Sequence, residues 1–212
     1  MVVNLLFGLP GDRPGGLILT ILYAVASGGG ALVLGLAYAS VGVFWTRASL
    51  GLQAVSAFLR GIPLLLLVFL TAHLSGLTVG GAGLLALFLY SFAHVGEILR
   101  SFLAAYPAHL ADQARVMGIL PLWEWLLMRI PWTLRHAWAA VSTHWISLLK
   151  DTGALVVLGV GELTTVAKAL AETPANYNQW SIVFASAAAL YLVATFALIK
   201  ILRLAEWRMV KW

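Results

Sequence analysis

The chain has 212 residues, of which 62% are hydrophobic and 10% charged, with a formal net charge of +5. A soluble domain carries about 25% charged residues, so too few polar side chains are present to cover a water-exposed surface, and much of that surface must face lipid. The 13 Lys and Arg residues are scattered between apolar runs instead of gathered on one face among aromatics, which argues against a nucleic-acid partner, and the absence of cysteine excludes a disulfide framework or a thiolate site.

Residues 1–16 have no basic segment ahead of an apolar stretch and are broken by Pro10, Pro14 and several glycines. They are unlike a cleavable signal and are expected to stay in the mature chain. A spanning helix needs about 20 apolar residues, so charge-free intervals locate the crossings. Nothing between Arg13 and Arg47 is charged, which predicts a first span over residues 17–43, loosened by Gly28, Gly29, Gly30 and Gly35. Residues 48–60 follow as a short helix at the surface. Arg60 and Glu97 enclose 36 uncharged residues, roughly 54 Å of helix and too much for one crossing. Two spans are expected there, 62–78 and 82–100, with the break among His73, Ser75, Gly76, Gly80, Gly81 and Gly83.

From 106 to 131 the chain changes character, with Asp112, Arg115, Glu124 and Arg129 set among Pro107, Pro121 and Pro131. Pro107 can open a helix, Gly118 can end it in a left-handed conformation, and Pro121 can start another. Such a loop suits docking on a soluble partner; the plainer alternative is an amphipathic surface helix. A fourth crossing over 136–158 carries Lys150 and Asp151. A polar stretch with Glu162, Lys168 and Glu172 precedes a fifth crossing over 182–201, and the whole chain, 1–212, is expected to form a single membrane domain.

With the N-terminus outside and the C-terminus in the cytoplasm, five crossings place Arg47, Arg60, Arg100, Arg115, Arg129, Arg135, Lys200, Arg203, Arg208 and Lys211 inside and only Arg13 and Lys168 outside. That asymmetry is what positive-inside orientation requires. Charges within spans are costly and are functional candidates by default. Lys150 and Asp151 are adjacent and point about 100° apart on a helix, so each needs a partner elsewhere, with Glu97 or Arg100 on the third span as candidates. The alternative role is an interhelical salt bridge that merely holds the bundle. Glu162 either lines an outer vestibule or caps the helix that follows it, capping being favoured, and Arg60 anchors a helix at the inner interface. The histidines at 73, 94, 109, 136 and 144 have no metal-ligand spacing and are read as packing residues, and the nine tryptophans as interfacial belt residues.

The run Asp112-Gln113-Ala114-Arg115-Val116-Met117-Gly118, nine further residues, then Met128-Arg129-Ile130-Pro131 resembles the coupling loop of binding-protein-dependent ABC importer permeases. Phe58-Leu59-Arg60-Gly61-Ile62-Pro63, Gly96-Glu97-Ile98-Leu99-Arg100, Ile146-Ser147-Leu148-Leu149-Lys150-Asp151-Thr152 and Gly159-Val160-Gly161-Glu162-Leu163-Thr164 are similar to the polar amino acid branch of that family. Asp112 and Gln113 stand where the family has Glu and Ala, Ile62 where it has Thr, His94 where an aromatic is usual, and Gly153 where it has Ser.

The resemblance implies an all-α, type I importer permease that works as a dimer with an identical or related permease. It implies that each subunit grips an ABC ATPase through Asp112, Gln113, Ala114, Arg115, Gly118, Ile130 and Pro131, and that an extracytoplasmic amino-acid-binding protein delivers the solute across a bacterial cytoplasmic membrane. Arg60, Glu97, Arg100, Lys150, Asp151 and Glu162 are the candidates for the translocation path. No phosphate-gripping glycine loop is present, so ATP and Mg²⁺ are expected on the partner and no cofactor or metal on this chain. The runner-up is an ion-coupled carrier or channel that uses Glu97, Lys150, Asp151 and Glu162 as an ion pathway; inverted halves are hard to build from an odd number of spans.

Overall fold

A computed structural model describes residues 1–11, 14–44 and 46–210. Arg13, Lys211 and the side chain of Arg47, read above as topological charges, lie outside the described residues, as do Trp45 and Trp212 among the indoles. Ten α-helices are described: α1 (Val2–Phe7), α2 (Gly16–Phe44), α3 (Thr46–Gly61), α4 (Leu64–Leu74), α5 (Val79–Ala104), α6 (Ala108–Val116), α7 (Pro121–Glu124), α8 (Ile130–Asp151), α9 (Leu163–Ala171) and α10 (Trp180–Val210). Of these, α2, α5 and α10 are long and apolar enough to cross a membrane unaided.

The glycines of α2 do not loosen it, contrary to expectation; they admit its neighbours. A β-carbon on Gly28 would strike the Trp145 indole, one on Gly30 would press on Phe88, and one on Gly35 would meet the backbone of Gly96 at 3.1 Å. Within a bilayer, where lipid is as apolar as leucine, this close backbone approach supplies the packing attraction that holds helices together. Tyr23 donates to the Gly80 carbonyl at 2.9 Å. The pairs Tyr23 with Gly80, Gly30 with Phe88 and Gly35 with Gly96 ascend together in number, so α2 and α5 run parallel. Residues 45–78 must therefore return the full length of the bundle.

That return is made by a bent pair. Pro63 lacks an N–H and disfavours a helical residue before it, and α3 and α4 meet there at 108°. The segment expected as a span over 62–78 is an 11-residue helix, about 16 Å long, so it cannot cross without α3. The break after it is also narrower than expected. Gly76 takes φ 65° and Thr78 caps α5 by accepting from the Gly81 amide at 3.3 Å. Gly80, Gly81 and Gly83 lie inside α5, where Gly80 makes room for Tyr23 and Gly83 for Leu155.

The fourth long helix begins earlier than its apolar pattern indicates. From Pro121 the chain is helical without interruption to Asp151, through a π-helical turn at Trp125–Arg129. Pro131 has no N–H to give to the Leu127 carbonyl, and its ring would clash there. The Ile130 amide reaches back to Trp125, five residues away, and the helix widens by one residue instead of ending. Leu87 packs with Leu148 and Leu155 in one core cluster, and Leu103 with Ala137 in another, so α8 runs antiparallel to α5. Trp138 donates to the Leu202 carbonyl at 3.0 Å, and α10 runs antiparallel to α8. Trp138 and Trp145 face neighbouring helices instead of headgroups, whereas Trp123, Trp180 and Trp207 are exposed near helix ends.

Candidate functional site

The loop between α5 and α8 is built as a wedge with one greasy outer face. Ala111 and Ala114 of α6 are buried, while Asp112, Gln113, Val116 and Met117 are exposed. Gly118 ends the helix at φ 73°, the left-handed conformation that glycine adopts without strain, and the Ile119 amide bonds back to the Ala114 carbonyl at 2.9 Å. Val116 at 89% and Leu127 at 67% exposure flank Met117, Leu120, Leu122 and Trp123, all exposed. So many large apolar side chains left exposed along one short stretch make it a candidate interaction surface. Arg115 donates to Asp112 at 3.0 Å, but both side chains are open to solvent, so this pair stabilises little.

The firm anchor of the loop lies behind that face. Arg129 donates to the Glu124 carboxylate at 2.7 Å with both side chains largely buried. Its guanidinium stands 5.0 Å from the centre of the Tyr106 ring, and Tyr106 packs edge-on against Trp132. Burial, with the nearby Glu124 charge, pushes the Tyr106 phenol above its ordinary value. Ile130 and Pro131, the last two loop residues of the sequence pattern, sit at the start of α8 as part of the same rod.

A second site lies within the bundle. On α5, Tyr90, His94, Glu97 and Arg100 follow at helical spacing along one half-buried face. Arg100 grips Glu97 with two donors, Tyr38 of α2 donates to it at 3.3 Å, and Arg60 of α3 lies at 3.9 Å. A β-carbon at Gly96 would stand 2.9 Å from the Tyr38 ring, so glycine before Glu97 is what lets the phenol reach the carboxylate. Further along the same face, the His94 and His144 rings stack at 5.4 Å, Tyr90 packs on both, and Ser91 and His144 Nε2 share a hydrogen bond of 2.9 Å.

Lys150 and Asp151 do not join Glu97 or Arg100. The His94–His144 stack sets the register of the antiparallel pair, and Asp151 lies seven residues beyond His144 toward one end of the bundle while Glu97 lies three beyond His94 toward the other, a separation of about 15 Å along the axes. Lys150 is exposed and Asp151 half-buried, and among the described residues neither makes an ion pair with that cluster. The carboxylate they were expected to reach is already occupied from its own helix.

Glu162 is fully buried and caps α9, accepting from the backbone amides of Thr164 and Thr165, both at 2.8 Å. Thr165 Oγ1 and the Tyr191 hydroxyl also donate to it, each at 3.0 Å. The strand-like stretch beside it ties α9 to α2, as Tyr191 ties it to α10: the Gly16 amide donates to Gly161 at 2.7 Å and the Leu163 amide to Thr20 Oγ1 at 3.1 Å.

No family model matches the chain. The octopine transport system permease protein OccQ of Rhizobium meliloti is 30% identical over 209 residues, covering 87% of this chain and 86% of that one. The chain belongs to the amino acid ABC transporter permease family. The arginine ABC transporter permease protein ArtQ of Haemophilus influenzae is 29% identical over 151 residues, 66% of this chain and 67% of the relative. The solved structure of an amino acid ABC transporter with histidines superposes with a TM-score of 0.77 at 25% identity, covering 90% of this chain and 91% of that one. Membership makes this permease an integral membrane component of a transport system, in keeping with its apolar helices.

Within the permease, sequence reasoning missed Tyr38, Tyr191 and the Glu124–Arg129 pair. Residues five apart do not share a face of an α-helix, and Glu124 meets Arg129 because the π turn realigns them. Pro131 in an otherwise helical run was the available signal.

Proposed function

We propose that this chain is the membrane-spanning subunit of an ATP-driven importer of polar amino acids in a bacterial cytoplasmic membrane. The observation that carries the reading is the wedge at 106–131, a hydrated loop with an apolar outer face that is continuous with α8 through the π turn. An ABC ATPase docks on the exposed Asp112, Gln113, Arg115 and Gly118, with Ala114, expected among the gripping residues, buried beneath them. Its ATP-driven closure pushes on a helical rod running from Pro121 to Asp151, and the bundle tilts as a rigid body. ATP and Mg²⁺ belong to that partner, a second permease completes the path, and an extracytoplasmic binding protein loads it.

Helix directions support five crossings with the two termini on opposite faces. The bent α3–α4 pair returns between two parallel helices, and α8 and α10 each reverse direction. The half-buried stripe of Tyr90, His94, Glu97 and Arg100 on α5 and His144, Ser147 and Asp151 on α8 gives a polar solute something to touch inside an apolar domain. Gly118→Val tests the coupling role, because a β-branched residue at positive φ costs about 1 to 3 kcal/mol of strain in a loop that contributes nothing to membrane insertion. Membrane levels are expected to hold while stimulation of ATP hydrolysis by loaded binding protein falls several-fold in the reconstituted complex. Full stimulation at normal levels, or transport by the purified chain on an ion gradient alone, would return the carrier reading.

A further inference from the structure

An apolar crevice of about 280 Å³ opens between α2 and α10, with α8 as its floor. Ile21, Ala24 and Val25 form one wall, Ala194, Ala197, Leu198 and Ile201 the other, and Trp145 and Leu149 the bottom. The one polar side-chain atom in this lining, Trp145 Nε1, is buried against Gly28. Water entering would find no partner, and the rim residues Val25 and Ile201, each more than half exposed, lie on the outer surface of the bundle.

The rim is continued by charge. Ala197, Ile201, Leu204 and Arg208 share one stripe of α10. Arg208 lies seven residues beyond Ile201 and fourteen beyond Ala194, about 10 and 21 Å along the helix. One leaflet of hydrocarbon is about 15 Å deep, so an acyl chain hanging from a headgroup at Arg208 ends in the crevice. Arg208 is exposed, as are Lys200 and Arg203 on neighbouring stripes, and among the described residues none of the three makes an ion pair.

From this juxtaposition we infer that the crevice is a binding site for an anionic phospholipid, its acyl chain between α2 and α10 and its headgroup phosphate on Arg208. A second copy of the chain is the poorer occupant, because the hollow is concave and its polar extension is a lone excess of positive charge that a symmetric partner would meet with its own. The inference rests on membrane residence and on the C-terminal end of α10 lying at a headgroup layer, and it does not depend on the direction or energy source of transport.

The test is native mass spectrometry of the purified, delipidated permease assembly titrated with phosphatidylglycerol and with phosphatidylcholine of identical chains. One phosphatidylglycerol per permease should be retained about fivefold more tightly than phosphatidylcholine, the contribution of one arginine at an anionic surface. Arg208→Gln should abolish that preference without weakening phosphatidylcholine. Ala194→Phe, and Ala197→Phe on the exposed rim in case the first disturbs folding, should reduce retention of both lipids at least tenfold with the assembly mass unchanged. Undiminished retention in the folded filled variants, or a preference that survives Arg208→Gln, overturns the site. Dissociation of the assembly by Ala194→Phe and Ala197→Phe with lipid retention intact overturns it in favour of a subunit interface, and leaves the transport reading untouched.

Discussion

Glu97 and Glu162 both bring a carboxylate into the helical bundle, and they meet opposite surroundings. Glu97 is held by two arginines and a phenol, a half-buried cluster with one more positive than negative charge. Glu162 is fully buried and has no cation against it among the described residues; two backbone amides at a helix start, a threonine and a tyrosine carry its oxygens instead. The first arrangement is made by side chains alone, which can exchange partners by a change of rotamer. The second is written into the backbone and cannot change without unwinding the first turn of α9. A membrane protein that must move while staying intact has use for both, with the exchangeable cluster toward the loop end of α5 and the fixed one where α2, α9 and α10 are tied.

The contrast can be broken by removing each carboxylate. Glu97→Ala leaves Arg100 and Arg60 facing each other without an anion, a loss of about 3 to 5 kcal/mol where such a group stays dry, and should lower both the membrane level and the thermal midpoint of the detergent-solubilised assembly. An unchanged midpoint would mean that water already screens the cluster. Glu162→Gln strands no charge but surrenders part of a saturated hydrogen-bond set, about 1 to 3 kcal/mol. It should leave levels closer to normal while amide exchange of residues 163–166 accelerates. If Glu162→Gln proves the more damaging of the two, the distinction drawn between exchangeable and fixed surroundings is wrong.

A finer version of the comparison uses the two phenols. Tyr191→Phe takes a donor from a carboxylate with no cation nearby and should cost about 1.5 to 3 kcal/mol, whereas Tyr38→Phe takes a 3.3 Å donor from one already gripped by Arg100 and should cost at most about 1 kcal/mol. Thermal midpoints of the two variants, measured side by side, would rank them.

Composition and charge-free intervals were enough to read a helical membrane protein, and the spacing around Gly118 was enough to read the loop, because both signals are local. What escaped was long-range or depended on absent atoms. Apolar periodicity cannot show that the stretch after Pro63 needs α3 to complete its path, since parallel pairing of α2 and α5 decides that. Glycines at 80, 81 and 83 look like a break in sequence and instead lie inside a helix, Gly80 and Gly83 on its contact face. Partners for Lys150 and Asp151 were sought in Glu97 and Arg100, which already hold each other one turn apart, and the helix expected to begin after Pro131 runs through it.

Where Gly35 rests on Gly96, the main chains of α2 and α5 touch with no side chain between them. Rotamer changes cannot loosen such a seam, because it has no rotamers, and any shear along it would drive a β-carbon of a neighbouring residue into the opposite backbone. The two helices therefore behave as one girder. In the rigid-body tilt proposed above the pair must then travel as one piece, so a cysteine cross-link between α2 and α5 should pass unnoticed in transport assays, whereas one that ties this chain to its partners should stop the cycle.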